Sequence, residues 1–384
     1  MPLDASEASP LAEETIAAAP SRGALAPVAF DDLGGWPGVL GRLTGGESLS
    51  EPEAACVLGE VLSGEATPAQ IAALLIGLRA KGESIEEMTG LVRAMLAHAV
   101  PLPLPGNLAD VVDVVGTGGD RLRSINVSTI ASFVVAGAGV PVCKHGNRAA
   151  SSSVGTADVL EALGVAVDLS AGGVARCLAE VGMGFCFARR FHPAMRFVAA
   201  VRSELGVPTI FNFLGPLSNP ARAQRQLVGV SDPAMASKMA GVLGANGSRR
   251  SMIVYADDGL DELSVTSPST VLDLVGDGEG AFDVRTLRID PADLGFGRAG
   301  MQDLRGGDAA FNAAVIRAVL AGERSPRRDI GVLNAAAALV VAGRVDDLGA
   351  GVELATASID GGSAAAVLEA LVRTSQEAAG EERL

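Results

Sequence analysis

Two short strings concentrate most of the chemistry in this chain: Gly116-Thr117-Gly118-Gly119-Asp120 and Lys144-His145-Gly146-Asn147-Arg148, the second running on into Ala149-Ala150-Ser151-Ser152. Glycines at 116, 118 and 119 let backbone N–H groups approach an anion closely, and a helix N-terminus beyond the loop adds its dipole. In the second string Lys144 supplies a point charge, Arg148 a planar fork and Ser151-Ser152 hydroxyls around Gly146. Between Gly116 and Ser152 the charge is +3, in a chain whose net charge is −15. A basic pocket in an acidic protein suits a small polyanion and argues against a nucleic-acid or anionic-membrane surface. Asp261-Glu262, closing Asp257-Asp258-Gly259-Leu260, is the best candidate for Mg²⁺, which takes one or two carboxylates plus substrate phosphates. His192-Pro193-Ala194-Met195-Arg196 and Arg202 could face a substrate carboxylate. Asn126-Val127-Ser128-Thr129 reads first as ordinary helix capping, and Asn212 to Pro220 as a rigid, turn-rich structural segment.

Each loop follows an apolar run, Val111 to Val115 and Val140 to Cys143. Both loops therefore fall at the carboxyl ends of strands, where open α/β sheets bind ligands. From Asp110 onward strand-like and helix-like segments alternate, which implies a mainly parallel sheet with helices on both faces. The short apolar runs Val165-Ala166-Val167, Phe185-Cys186-Phe187 and Ser251 to Tyr255 belong to that alternation, and helical patterns dominate from Ala309 onward. Between Trp36 and Val100 the pattern is helical, with capping boxes at Ser50, Thr67 and Ser84. The prolines of Pro101 to Gly106 end this part. The expected division is an extension over 1–35, a helical domain over 36–105 with a later contribution around 193–212, and an α/β domain over 106–384. The extension, rich in Ala, Pro and Glu, reads as disordered and lacks the basic and apolar regions of a signal peptide.

Hydrophobic residues make up 48% of the 384, but aromatics only 3%, so Ala, Val and Leu must fill the core. Cys56, Cys143, Cys177 and Cys186 show no metal-binding spacing and read as buried free thiols in a reducing cytosol. The uncharged run from Ser124 to Cys143 is long enough for a membrane span, but its Asn, Ser, Thr, Gly and Pro content fits a buried helix leading into a strand.

Taken together, GTGGD (116–120), NVST (126–129), KHGNRAASS (144–152), the His192/Arg202 segment, NFLGPLSNP (212–220) and DGLDE (258–262) resemble anthranilate phosphoribosyltransferases in order and spacing, from about residue 37 to the C-terminal helices. The resemblance implies a cytoplasmic homodimer joined through the helical domain, with a cleft between that domain and the α/β domain. It implies Mg²⁺-dependent transfer of phosphoribose from 5-phosphoribosyl 1-pyrophosphate to the amine of anthranilate, in tryptophan biosynthesis. Carried over by position, Gly116, Gly119, Asp120, Ser124, Asn126, Val127, Ser128, Thr129, Lys144, His145, Gly146, Asn147, Arg148, Ala149, Ala150, Ser151, Ser152 and Thr156 hold the phosphoribosyl pyrophosphate. Ser128, Asp261 and Glu262 hold Mg²⁺. Gly116, Asn147 and Arg202 contact anthranilate, with His145 and His192 lining its path. Lys144 and Arg148 act electrostatically, and no covalent nucleophile or obligate acid or base is implied. Arg121 stands where the family commonly has Gly, and Ser124 where Thr is usual. A pyrimidine nucleoside phosphorylase would carry a different phosphate-loop string, and a nucleic-acid-binding relative an exposed basic groove with a degraded metal motif.

Overall fold

The computed structural model describes residues 28–383 apart from Pro105, 107–109, 120–122 and 150–153. Asp120, Arg121, Ala150, Ser151 and Ser152, and all but the end of the N-terminal extension, lie outside the described residues. The end of that extension is folded. Phe30–Leu33 form a 3₁₀ turn, and the Phe30 ring meets Trp36 edge-on at 5.4 Å. The helical domain thus begins some residues before the expected boundary, because the lone Trp needs an apolar partner to complete its burial.

Four helices follow: α1 (Gly35–Thr44), α2 (Glu51–Ser63), α3 (Pro68–Lys81) and α4 (Ile85–Ala97). The last three start at the expected boxes, where Glu53, Gln70 and Glu87 reach back to the N–H of Ser50, Thr67 and Ser84 at 2.7, 2.8 and 2.9 Å. Each such contact satisfies a backbone donor that the helix cannot.

The α/β domain then runs β1 (Val112–Gly116), α5 (Val127–Gly137), β2 (Val142–Gly146), α6 (Thr156–Ala162), α7 (Ala171–Val181) and β3 (Met183–Phe187). After α8 (Ala188–Phe191), α9 (Arg196–Leu205) and α10 (Phe211–Leu217) come β4 (Arg225–Gly229), α11 (Pro233–Ala245), β5 (Arg250–Ala256), β6 (Ser269–Gly276) and β7 (Phe282–Ile289). Helices α12 (Ala309–Leu320), α13 (Pro326–Val341), α14 (Leu348–Asp360) and α15 (Ser363–Glu381) end the chain. The sheet order is β3-β2-β1-β4-β5-β6-β7. Strands β3 to β5 in that order are parallel, whereas β6 and β7 are added antiparallel. The uncharged run from Ser124 contains α5, and no helix among the described residues is long and apolar enough to cross a membrane.

Alternation along the strands splits the core in two. Leu227 and Met252 join a cluster with α5 and α13, while their neighbours Val228 and Ile253 join one with α1 to α4. The second cluster also takes in Val198 and Val201 of α9 and Phe211 and Leu214 of α10. The helical domain is therefore packed on one sheet face, with the segment around 193–212 contributing to it.

Two local expectations change. Val165 and Val167 are buried, but the run lies outside the sheet, because the Ala166 N–H is taken by Ser375 Oγ at 3.0 Å. Most of Asn212 to Pro220 is helix rather than turn. Asn212 Oδ1 accepts from Thr209 N–H at 3.1 Å at the start of that helix, and Pro216 falls in its last turn.

Candidate active site

The carboxyl ends of β1 and β2, with the segments that follow β3 and β5, meet the helical domain in a cleft of about 890 Å³. Two glycines allow it to form. A Cβ on Gly229 would stand 1.6 Å from the Asp261 carbonyl oxygen, and one on Gly116 would stand 2.6 Å from Asp261 Oδ2. The acidic loop after β5 therefore lies directly across the ends of β1 and β4. Gly118 (φ 65°) and Gly119 (φ 88°) are left-handed, which turns the Gly118 N–H onto Asp261 Oδ2 at 2.8 Å. Left-handed backbone is strained for residues with a Cβ.

At the start of α5, Asn126 does not cap with its side chain. Its Oδ1 accepts from Asn312 Nδ2 at 2.9 Å, which ties the first loop to α12. The expected capping role is corrected accordingly. Ser128 Oγ accepts from Lys144 Nζ at 3.1 Å. Lys144 is 1% exposed, and its ammonium also donates to the Val114 carbonyl oxygen. Burial lowers its pKa, and Asp113 and Glu262 oppose that shift. Lys144 thus approaches the cleft from beneath the loops, as a fixed charge rather than a mobile surface one.

Arg148 is placed differently from expectation. It lies at the cleft, but its guanidinium donates to Asp158 at 2.9 Å and to Glu161 at 2.6 and 2.7 Å. These hydrogen bonds, Glu161's first, raise its pKa. The carboxylates of α6 already neutralise this charge, so an incoming phosphate would have to compete for it.

At the far end, His145 and His192 face each other with ring centroids 5.2 Å apart. His145 Nδ1 lies 3.1 Å from the Gly215 carbonyl, so a neutral ring donates there and leaves Nε2 as an acceptor. That Nε2 is buried with no hydrogen-bond partner among the described residues. His192 Nε2 lies 3.0 Å from the Ser218 carbonyl. Burial holds His145 down to about 3 and His192 to about 4, so both are neutral near pH 7. Arg202 is half-buried, stacks on Phe211 at 5.5 Å and reaches Asn212 Oδ1 at 3.4 Å. Among the described residues it makes no ion pair.

The α/β part, residues 108–365, matches the sequence model described as the glycosyl transferase family a/b domain, and residues 37–99 match that family's helical bundle domain. A Nocardioides anthranilate phosphoribosyltransferase is 54% identical over 87% of this chain and 97% of its own. The chain belongs to the anthranilate phosphoribosyltransferase family. The Moorella thermoacetica member is 52% identical over 87% of this chain and 96% of its own. Among solved structures, the Thermus thermophilus family member superposes with a TM-score of 0.81 at 41% identity, covering 88% of this chain and 99% of its own. A Saccharomyces cerevisiae member, solved with PRPP and Mg, gives 0.80 at 26% identity over 89% of this chain and 98% of its own.

Of the residues that the family resemblance singled out, the cleft wall gathers Gly116, Ser124, Asn126, Val127, Ser128, Lys144, His145, Gly146, Asn147, Arg148, Thr156, His192, Arg202, Asp261 and Glu262. Gly119, Thr129 and Ala149 are not on it. Thr129 is fully buried in α5, Gly119 turns towards Ser231, and the Ala149 N–H is held by Asp158. The sequence reading missed Met95 of α4, Arg189 of α8 and the role of Asn212. Met95 carried no signal beyond its place on an apolar helix face. Asn212, ten residues after Arg202, could have been found from the amide-to-guanidinium pairing.

Proposed function

We propose that this chain transfers the phosphoribosyl group of 5-phosphoribosyl 1-pyrophosphate to the amine of anthranilate, releasing pyrophosphate, as a step of tryptophan biosynthesis. The observation that carries the reading is a single cleft with two chemically distinct ends. One end offers Lys144, Ser128, the glycine loop and the carboxylates of Asp261 and Glu262. The other offers Arg202, whose planar fork has no carboxylate partner among the described residues and matches the anthranilate carboxylate. Family membership at 54% identity supports the same reading.

The reaction breaks the bond from the anomeric carbon to pyrophosphate and forms a C–N bond to the aromatic amine. The amine lone pair is available at neutral pH, so no covalent intermediate on the protein is needed. The chain's contribution is alignment and electrostatic stabilisation of the leaving group. Lys144 lends positive charge near the loops, and their backbone donors line the place where the phosphates bind. The His145 Nε2, held as an acceptor, can take a hydrogen bond from the attacking amine and orient it. At about 3 its pKa is too low for it to act as a strong base.

Mg²⁺ fits the donor set. Asp261 and Glu262 are 7% and 8% exposed, adjacent, and on the same wall as the Ser128 hydroxyl. Among the described residues no cluster of three or more His, Cys, Asp or Glu could form a protein-only cage. That suits an ion that completes its shell with substrate phosphates and water. Bound there, Mg²⁺ supplies charge neutralisation for the pyrophosphate. The reading extends to a cytoplasmic homodimer joined through the helical domain, where Ile76 of α3 stands 40% exposed.

The test is anthranilate fluorescence followed with 5-phosphoribosyl 1-pyrophosphate and Mg²⁺. The signal falls only when protein and both additions are present; a steady signal with folded protein overturns the assignment.

A further inference from the structure

Asp113 is the second residue of β1, in register with Gln226 of β4, and is fully buried. It does not line the cleft. Its two oxygens are each used by a different element. Oδ1 accepts from the backbone N–H of His145 at 3.2 Å, and Oδ2 from Asn219 Nδ2 at 2.8 Å. Asn219 is 3% exposed, donates also to the Cys143 carbonyl at 2.8 Å, and accepts from the Ala221 N–H at 2.9 Å. One carboxylate therefore ties β1, the start of the second loop and the segment that follows α10.

The last turn of α10 and the segment that follows it set the two histidines. Gly215 accepts from His145 Nδ1 and Ser218 from His192 Nε2. A buried carboxylate is costly unless its charge and lone pairs are matched; here the Lys144 charge and the Gln226 side chain add to the two donors already named, so the carboxylate is held in place. If the segment shifts on β2, the carbonyls that choose each ring's protonated nitrogen shift with it.

We propose that Asp113 is a positioning residue for the acceptor end of the cleft, clamping the segment after α10 to the second loop so that His145 keeps its proton on Nδ1 and presents Nε2 as an acceptor. This rests on the enzymatic reading only for its kinetic consequence; the imidazole geometry stands without it.

The test compares Asp113→Asn, Asn219→Asp and their combination. In Asp113→Asn the new NH₂ group must face either Asn219 Nδ2 or the His145 N–H, donor against donor. In the double variant the amide at position 113 can donate to the carboxylate at position 219 while accepting from the His145 N–H, but the carboxylate oxygen that replaces Asn219 Nδ2 then meets the Cys143 carbonyl, acceptor against acceptor. The chain has three histidines, His98, His145 and His192, so imidazole ¹⁵N NMR resolves each ring. Asp113→Asn is expected to mix the His145 tautomers and to raise the anthranilate KM by about 10- to 100-fold, the scale on which orienting partners act. The KM for 5-phosphoribosyl 1-pyrophosphate should rise less, only through the support that Asp113 gives to the Lys144 charge. The double variant should recover part of both effects. Unchanged tautomers in Asp113→Asn, equal losses for both substrates, or a double variant no better than Asp113→Asn would overturn the proposal. If the wild-type chain proves inactive, the enzymatic reading fails while the tautomer comparison still decides this one.

Discussion

Replacing Gly229 by Ala is the sharpest probe of how the acidic loop is held. The added Cβ would lie 1.6 Å from the Asp261 carbonyl oxygen and 2.6 Å from its carbonyl carbon, where ordinary contact begins at 3.4 Å. The Asp261 backbone must therefore retreat by about 1.8 Å. It cannot do so freely. Its neighbour Leu263 is pinned to Asn334 by bonds of 3.0 and 2.8 Å, and Gly118 holds the Asp261 carboxylate. Overpacking of this kind costs about 1–3 kcal/mol of stability, and a displacement near 1 Å at a reacting centre costs about 100-fold in rate. Gly116→Ala should perturb the loop less, because its 2.6 Å contact is with a side-chain oxygen that needs to move only about 0.8 Å, against its bond from the Gly118 N–H. The assay is the rate as a function of Mg²⁺ concentration, alongside a urea midpoint. Gly229→Ala should lose about 100-fold in kcat and need more Mg²⁺, with the anthranilate KM little changed. A Gly229→Ala protein with wild-type kcat and Mg²⁺ dependence would refute the reasoning.

Asp261→Asn with Glu262→Gln should shift the Mg²⁺ concentration for half-maximal rate upward by about tenfold or more, because both hard carboxylate ligands are lost; an unshifted Mg²⁺ titration would remove these residues from the metal site. Glu87 is fully buried, accepts from Leu49 and Ser84 N–H groups and pairs with Lys81 at 2.8 Å. Glu87→Ala removes the lysine's carboxylate, leaving it Ser48 Oγ and the Gly82 carbonyl, and should cost about 3 kcal/mol in urea unfolding; a loss within error would show the pair to be dispensable. Stability should also fall with acid. His145 (about 3) and His192 (about 4) stay neutral in the fold while the unfolded chain takes up protons below about 6.5, so their contribution is full above 6.5 and is lost as pH drops. Asp113, pushed up to about 6 by burial, works the other way between 6 and 3.8. Two groups outweigh one, so between pH 6 and 4 stability should decline by about 1.4 kcal/mol per unit. Urea unfolding across that range checks it, and a flat profile would contradict the buried neutral histidines.

Much of the fold can be read locally in the sequence. The boxes at Ser50, Thr67 and Ser84 start helices because donor and acceptor lie three residues apart, and β1 and β2 emerge from mainly apolar runs, broken in β1 by Asp113. The antiparallel addition of β6 and β7 was not legible, since their burial pattern depends on which face the C-terminal helices cover. At the site, the residue types in the two loops were legible but their electrostatic state was not. Arg148 looked like a phosphate fork until α6 returned Asp158 and Glu161 beside it. Lys144 read simply as a point charge, and the sequence did not show that strand alternation sends it inward to 1% exposure. Asp113 gave no signal, because its partner Asn219 is 106 residues away. Contacts made by sequence-distant polar groups decide orientation, and no local pattern encodes them.

The central claim is that one cleft binds two substrates at opposite ends, and Arg202→Ala tests it most directly. Steady-state kinetics with each substrate varied in turn should show the anthranilate KM raised about 10- to 100-fold, the loss of a charge-assisted contact, with the KM for 5-phosphoribosyl 1-pyrophosphate unchanged. An Arg202→Ala protein in which only the pyrophosphate substrate binds more weakly would contradict the assignment of the two ends.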